Sequence, residues 1–175
     1  MKNNHINPIP KLAAVLAIAA IDACAEERPG TSQEAAPRRI VISIADRKLV
    51  LLDGDRPLKI YDIAVGKPST PSPQGEFRII NHVPNPTWYG PKVVVPPGKD
   101  NPLGTRWMGL SAKGYGIHGT NAPGSIGKAA SHGCIRMRKQ DLEDLFEMVT
   151  VGLAVELHGE RPELLTKILT TTVSD

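Results

Sequence analysis

Prolines and glycines cut this chain into short pieces, 16 of each spread through 175 residues. Helix interiors and central strands tolerate proline badly, so long uninterrupted elements are excluded and short strands joined by structured turns are favoured. The apolar residues between the breaks agree. In "RIVISI", Ile40, Ile42 and Ile44 alternate onto one face, the pattern of a half-buried strand. "KLVLL" follows after the short "ADR" turn, and "DGDRP" supplies Asp-Gly turn chemistry before "LKIYDIAVG", which predicts a three-stranded antiparallel meander. "KPSTPSPQG" is too proline-rich for a central strand and reads as a rigid loop. "EFRIINHV" returns to strand character, and "PNPTWYGPKVVVPPGKDNPLG" is a second long loop with a short "KVVV" core. Loops this long in a compact domain are often functional.

"RWMGLS" and "YGIHG" are further strands. "KQDLEDLFEMV" is the one convincing helix of the core, because Leu142, Leu145, Phe146 and Val149 fall at i, i+3, i+4 and i+7. "LAVELHG" alternates Leu153, Val155 and Leu157 as a closing strand, and "RPELLTKIL" predicts a terminal helix with Pro162 near its first turn. The expected fold is mostly β, a domain over residues 38–159 with one packed α-helix and long Pro/Gly loops that form a cleft. Residues 160–175 form a C-terminal tail with that helical segment in it.

The N-terminus reads as an export leader. Lys2 and Lys11 are the only full charges before Asp22, and "LAAVLAIAAI" is a ten-residue apolar run. A bilayer span takes about 20 apolar residues, so the run fits a signal-peptide core. "ACA" (Ala23, Cys24, Ala25) offers a small-x-small cleavage site, which makes residues 1–25 the signal peptide and 26–37 a polar, proline-punctuated linker. "IDAC" also resembles a lipoprotein processing site with Cys24 as the acylated residue. Either route sends the chain to the periplasm or cell envelope, with membrane contact only through the leader or a lipid. The net charge of +3, with no arginine-lysine stripe and interleaved aromatics, argues against nucleic acid as a partner.

Both routes consume Cys24, and the chain has only two cysteines. Cys134 is then unpaired in an exported protein, which marks it for reactivity, against the alternative of a small buried hydrophobe. A thiol attacks as thiolate, and a neighbouring imidazole that takes its proton supplies one. His118 lies sixteen residues upstream at the end of the "YGI" strand, and His132 lies at i−2. A structural, hydrogen-bonded histidine is the alternative for each. Gly133 permits close approach of a substrate and lets its own amide and that of Cys134 point at one spot, as an oxyanion hole requires. Gly119 leaves its carbonyl accessible to the second nitrogen of His118, which would set tautomer and orientation.

"IHGT…SIG…SHGCIRM", with His118, Ser131, His132, Gly133, Cys134 and Arg136 in that order, closely resembles the signature of the L,D-transpeptidase (YkuD-like) catalytic domain. "TPSPQGEFRI" and "NPLGTRWMGL" resemble two further blocks of the same domain, and the likeness covers about residues 40–158. The resemblance implies a β-sandwich-like acyltransferase that needs no cofactor and holds no metal. Cys134 would be the nucleophile, His118 the general base and acid, and Gly119 the backbone carbonyl that orients it. Ser131, His132, Gly133 and Arg136 would shape the cleft or meet substrate. The donor would be a peptidoglycan stem tetrapeptide and the acceptor an amine of another stem, giving a 3→3 cross-link, or another amine. Lys128, Arg136 and Arg138 suit an anionic peptide, and Trp88, Tyr89 and Trp107 could wall the cleft or sit in the core.

Three rivals stand beside this reading. Water as acceptor would make the same residues an L,D-carboxypeptidase or cysteine peptidase. A leftover thiol would leave a non-catalytic wall-binding module. A zinc site from His118, His132 and Cys134 would need a fourth ligand or a water, and H-x-C spacing chelates poorly within one short loop.

Overall fold

A computed structural model of the chain describes residues 37–171. The leader with Cys24, nearly all of the linker and the last four residues lie outside the described residues. Among those described, eleven strands and two α-helices follow one another: β1 (Arg39–Ser43), β2 (Lys48–Asp53), β3 (Arg56–Gly66), β4 (Gly75–Pro84), β5 (Trp88–Tyr89), β6 (Val94–Val95), β7 (Arg106–Leu110), β8 (Gly116–His118), β9 (Ala129–Ser131), β10 (Ile135–Met137), α1 (Lys139–Met148), β11 (Ala154–His158) and α2 (Glu163–Thr171). Nine strands form one sheet in the order β10-β8-β7-β4-β11-β1-β2-β3-β9, and β5 and β6 form a separate hairpin. Because β10 also pairs with β3, the sheet curls back on itself into a barrel-like sandwich.

The meander forms as expected, with β1, β2 and β3 as antiparallel neighbours. Its inward residues Ile40, Ile42, Leu49, Leu51 and Ile63 are fully buried, and α1 drives Leu142, Leu145 and Phe146 into the same cluster. Each such side chain contributes about 1.5–3 kcal/mol on leaving water.

The outward face of β1 and β2 departs from the half-buried expectation. Val41, Val50 and Leu52 are buried too, beneath Leu165 and Ile168 of α2. Strands covered on both faces read as continuous apolar runs, and "IVI" and "LVLL" are such runs. The terminal helix expected after residue 159 therefore forms, and it packs on the sheet as a second helix of the domain where a tail was expected. Arg161, just ahead of α2, anchors it: Nε donates to Asp46 Oδ2 at 2.8 Å, and the Ser43 hydroxyl donates to the same carboxylate at 2.6 Å. The Arg161 hydrogen bond leads in pulling the Asp46 pKa down to about 2. Strands β9 and β10 were not anticipated, since three residues are too few to show a period.

Leu165→Ala should destabilise the protein by about 2–5 kcal/mol in urea unfolding, the cost of a core cavity. Unchanged stability would remove α2 from the folding unit.

Candidate active site

Strand pairing brings the two halves of the site together. β8 and β10 run parallel, with Ile117 opposite Ile135 and His118 opposite Arg136. A parallel return needs a crossover of a dozen or more residues, which explains the sixteen-residue interval between His118 and Cys134. Registered partners share a face, so His118 and Arg136 point the same way, and Cys134 lies in the bend immediately ahead of β10. Cys134, His118, Ser131, His132 and Arg136 all line one cleft of about 950 Å³. Trp88, Tyr89 and Trp107 line it as well, and no aspartate or glutamate does. Lys128 and Arg138 are not among its lining residues, and Arg138 turns to Asp62 at 3.5 Å and Asp141 at 3.9 Å.

Ser131 builds the turn that carries the thiol. It is 1% exposed; its hydroxyl donates to the Cys134 carbonyl at 2.6 Å and accepts from the Gly133 amide at 3.0 Å. The proline-rich loop after β3 holds the same residue from behind: the Lys67 amide and the Thr70 hydroxyl both donate to the Ser131 carbonyl, at 3.1 and 3.2 Å. Gly133 has φ +114°, and a Cβ there would lie 2.5 Å from Cε1 of Tyr115, so only glycine fits. The Gly133 amide is committed to Ser131 and does not serve as the oxyanion donor expected of it. The departure from strand geometry between β9 and β10 also removes the argument that put His132 and Cys134 on one side of an extended segment.

The pair is neutral at rest. Burial first, and Arg136 after it, push the His118 pKa down to about 4, against the opposing pull of the Gly119 and Pro102 backbone. The Gly119 amide is taken by the Leu103 carbonyl at 2.8 Å, so its carbonyl is the group turned to the imidazole. No partner completes a hydrogen bond of good geometry with His118 Nδ1 among the described residues. Burial likewise pushes the Cys134 thiol up, opposed by the Gly116 backbone and Arg136. The thiol donates to the Gly114 carbonyl at 3.7 Å. A preformed thiolate–imidazolium pair is thus absent, and the imidazole is in the form that can accept a proton.

Two features escaped the sequence. Asn101, 1% exposed, ties the cleft wall together: Nδ2 donates to the carbonyls of Pro86, Val95 and Pro96 at 2.8, 3.2 and 3.2 Å, and Oδ1 accepts from the Leu103 amide at 2.8 Å. A polar residue in a Pro/Gly loop gives no sign of such burial. Gly119 is also required by packing, since a Cβ would stand 2.9 Å from Gly104 Cα.

With this geometry, a comparison with known protein families is decisive. The L,D-transpeptidase catalytic domain (YkuD) matches residues 37–157. The chain belongs to that family. A Bacillus licheniformis protein named as an L,D-transpeptidase, YkuD, is 46% identical over 121 residues, 69% of this chain and 66% of that protein. Its Bacillus subtilis counterpart of the same name is 43% identical over 122 residues, again 66% of its length. Among solved structures, the catalytic domain of the E. faecium L,D-transpeptidase aligns with TM-score 0.57 at 26% identity, over 70% of this chain and 97% of that one. The Ldtfm–avibactam carbamoyl enzyme aligns with TM-score 0.61, also at 26% identity, over 71% of this chain and 49% of its own. The chain spans about two thirds of the length of these Bacillus relatives.

Ser131→Ala leaves the Cys134 carbonyl and Gly133 amide unsatisfied and should cost about 1–3 kcal/mol of stability by chemical denaturation, with Ser131→Thr restoring much of it. Because burial raises the thiol pKa, alkylation of Cys134 by iodoacetamide should be slower at pH 7 than that of a free cysteine and should accelerate as the pH rises. Rapid alkylation at pH 6 would mean a preformed ion pair instead.

Proposed function

We propose that this L,D-transpeptidase family member uses Cys134 to form a thioester with a peptidoglycan stem tetrapeptide and passes the acyl group to an amine. The observation that carries the reading is that Cys134, immediately ahead of β10, and neutral His118, at the end of the paired β8, line a single cleft without acidic side chains. As Sγ attacks the carbonyl of the third, L-centred residue, His118 takes the thiol proton. The C–N bond to the terminal D-alanine then breaks and His118 returns that proton to the leaving amine. In the second half an acceptor amine attacks the thioester, loses a proton to His118, and the C–S bond breaks to regenerate the thiol. A stem amine as acceptor gives a 3→3 cross-link. Arg136, without an ion-pair partner among the described residues, is free to meet a substrate carboxylate. Export through the 1–25 leader, which such a substrate demands, belongs to the same proposal.

Mass spectrometry of the protein incubated with disaccharide-tetrapeptide, with and without an acceptor amine, tests the scheme. An adduct on Cys134 lacking D-alanine is expected, and the product mass separates transfer from hydrolysis. Cys134→Ala should abolish turnover, and His118→Ala should slow acylation by about 10²–10⁴-fold. Turnover surviving in Cys134→Ala would sink the covalent scheme.

A further inference from the structure

The Gly119 and Pro102 backbone lies against the His118 ring, yet no hydrogen bond of good geometry to Nδ1 forms among the described residues. An indole packs on the ring as well. Trp107 on β7 stands directly opposite His118 in the antiparallel β7–β8 ladder. The Leu110 amide donates to the Tyr115 carbonyl at 2.9 Å, which makes that pair a hydrogen-bonded one. Alternation along the ladder then makes Gly109–Gly116 and Trp107–His118 non-hydrogen-bonded pairs, the kind whose side chains approach most closely. The two rings stack with centroids 5.7 Å apart and planes inclined by 29°, inside the range where ring pairs attract.

Gly116 completes the contact. It precedes His118 by two residues on β8 and therefore shares its face. A Cβ at Gly116 would fall 2.5 Å from Cη2 and 2.7 Å from Cζ2 of Trp107, so the indole occupies the space that a side chain there would fill. The ring thus spreads along β8 from Gly116 to His118 while its open edge lines the cleft. The non-hydrogen-bonded register also turns the Gly116 amide away from β7 and towards β10, where the backbone of Gly116 favours the ionised form of Cys134.

We propose that Trp107 is the positioning residue of the His118 base, its indole clamping the imidazole in the orientation that faces Cys134 and sealing it from water. The inference rests on the reading of His118 as the base. An apolar clamp does something a carboxylate partner could not: it orients the ring without favouring the imidazolium, so the base stays able to accept a proton at neutral pH. The titratable and charged groups that share the cleft with the ring are Cys134, His132, Arg136 and the Tyr89 phenol.

Two readouts test it, one of them independent of turnover. In an NMR titration, Trp107→Ala should move the His118 pKa up from about 4 towards its ordinary 6.5, while Trp107→Phe, which keeps a ring in place, should stay near the parent. In single-turnover acylation by disaccharide-tetrapeptide, Trp107→Ala should lose about 10–10²-fold in rate with KM unchanged, and Trp107→Phe should recover most of it. If Trp107→Ala leaves the titration unmoved, or raises only KM, the indole is a passive wall and the proposal falls. Should Trp107→Ala fail to fold, Trp107→Leu, with apolar bulk but no ring, is read the same way. If the parent protein itself forms no acyl adduct, the proposed reaction falls, and the titration still decides whether Trp107 holds the ring.

Discussion

Three residues of β10, hydrogen-bonded along both edges, hold this architecture closed. On one side they run parallel to β8, and on the other antiparallel to β3. Closure fixes the turn immediately upstream, so the thiol of Cys134 inherits its position from the sheet. The parallel partner delivers His118 to the same cleft, and the antiparallel partner delivers the loop whose Lys67 amide and Thr70 hydroxyl grip Ser131. A break in β10 pairing would therefore dismantle the barrel and the site together.

The electrostatics follow from that burial. Neither group of the pair carries charge at rest, and Arg136 acts on them with opposite sign, favouring thiolate and disfavouring imidazolium. For an ion pair the two effects oppose each other. In the proposed mechanism, charge separation is deferred to the moment of attack. The resting thiol is consequently a poor nucleophile towards adventitious electrophiles in water.

Much of this was legible in the chain. Alternation revealed the β1–β3 meander, the i, i+3, i+4, i+7 spacing revealed α1, and of the ordered motif His118, Ser131, His132, Cys134 and Arg136 line one cleft while Gly133 does not. What stayed hidden depends on contacts between distant residues. Two-sided burial of β1 and β2 needs Leu165 and Ile168, which follow them by more than a hundred positions. The Gly133 amide is diverted by a hydroxyl that reads as a mere motif member. Asn101 gains its meaning only from Pro86, Val95 and Pro96 around it, and Trp107 only from the register that sets it over Gly116.

Asn101 also divides the loop between β4 and β7 into two parts with different freedoms. Pro86, Val95 and Pro96 hang on its side chain through their carbonyls. From Leu103 onward the backbone bears directly on Gly119, and hence on the imidazole. Substitutions in the first stretch can therefore reshape the mouth of the cleft, while substitutions in the second are felt at the imidazole.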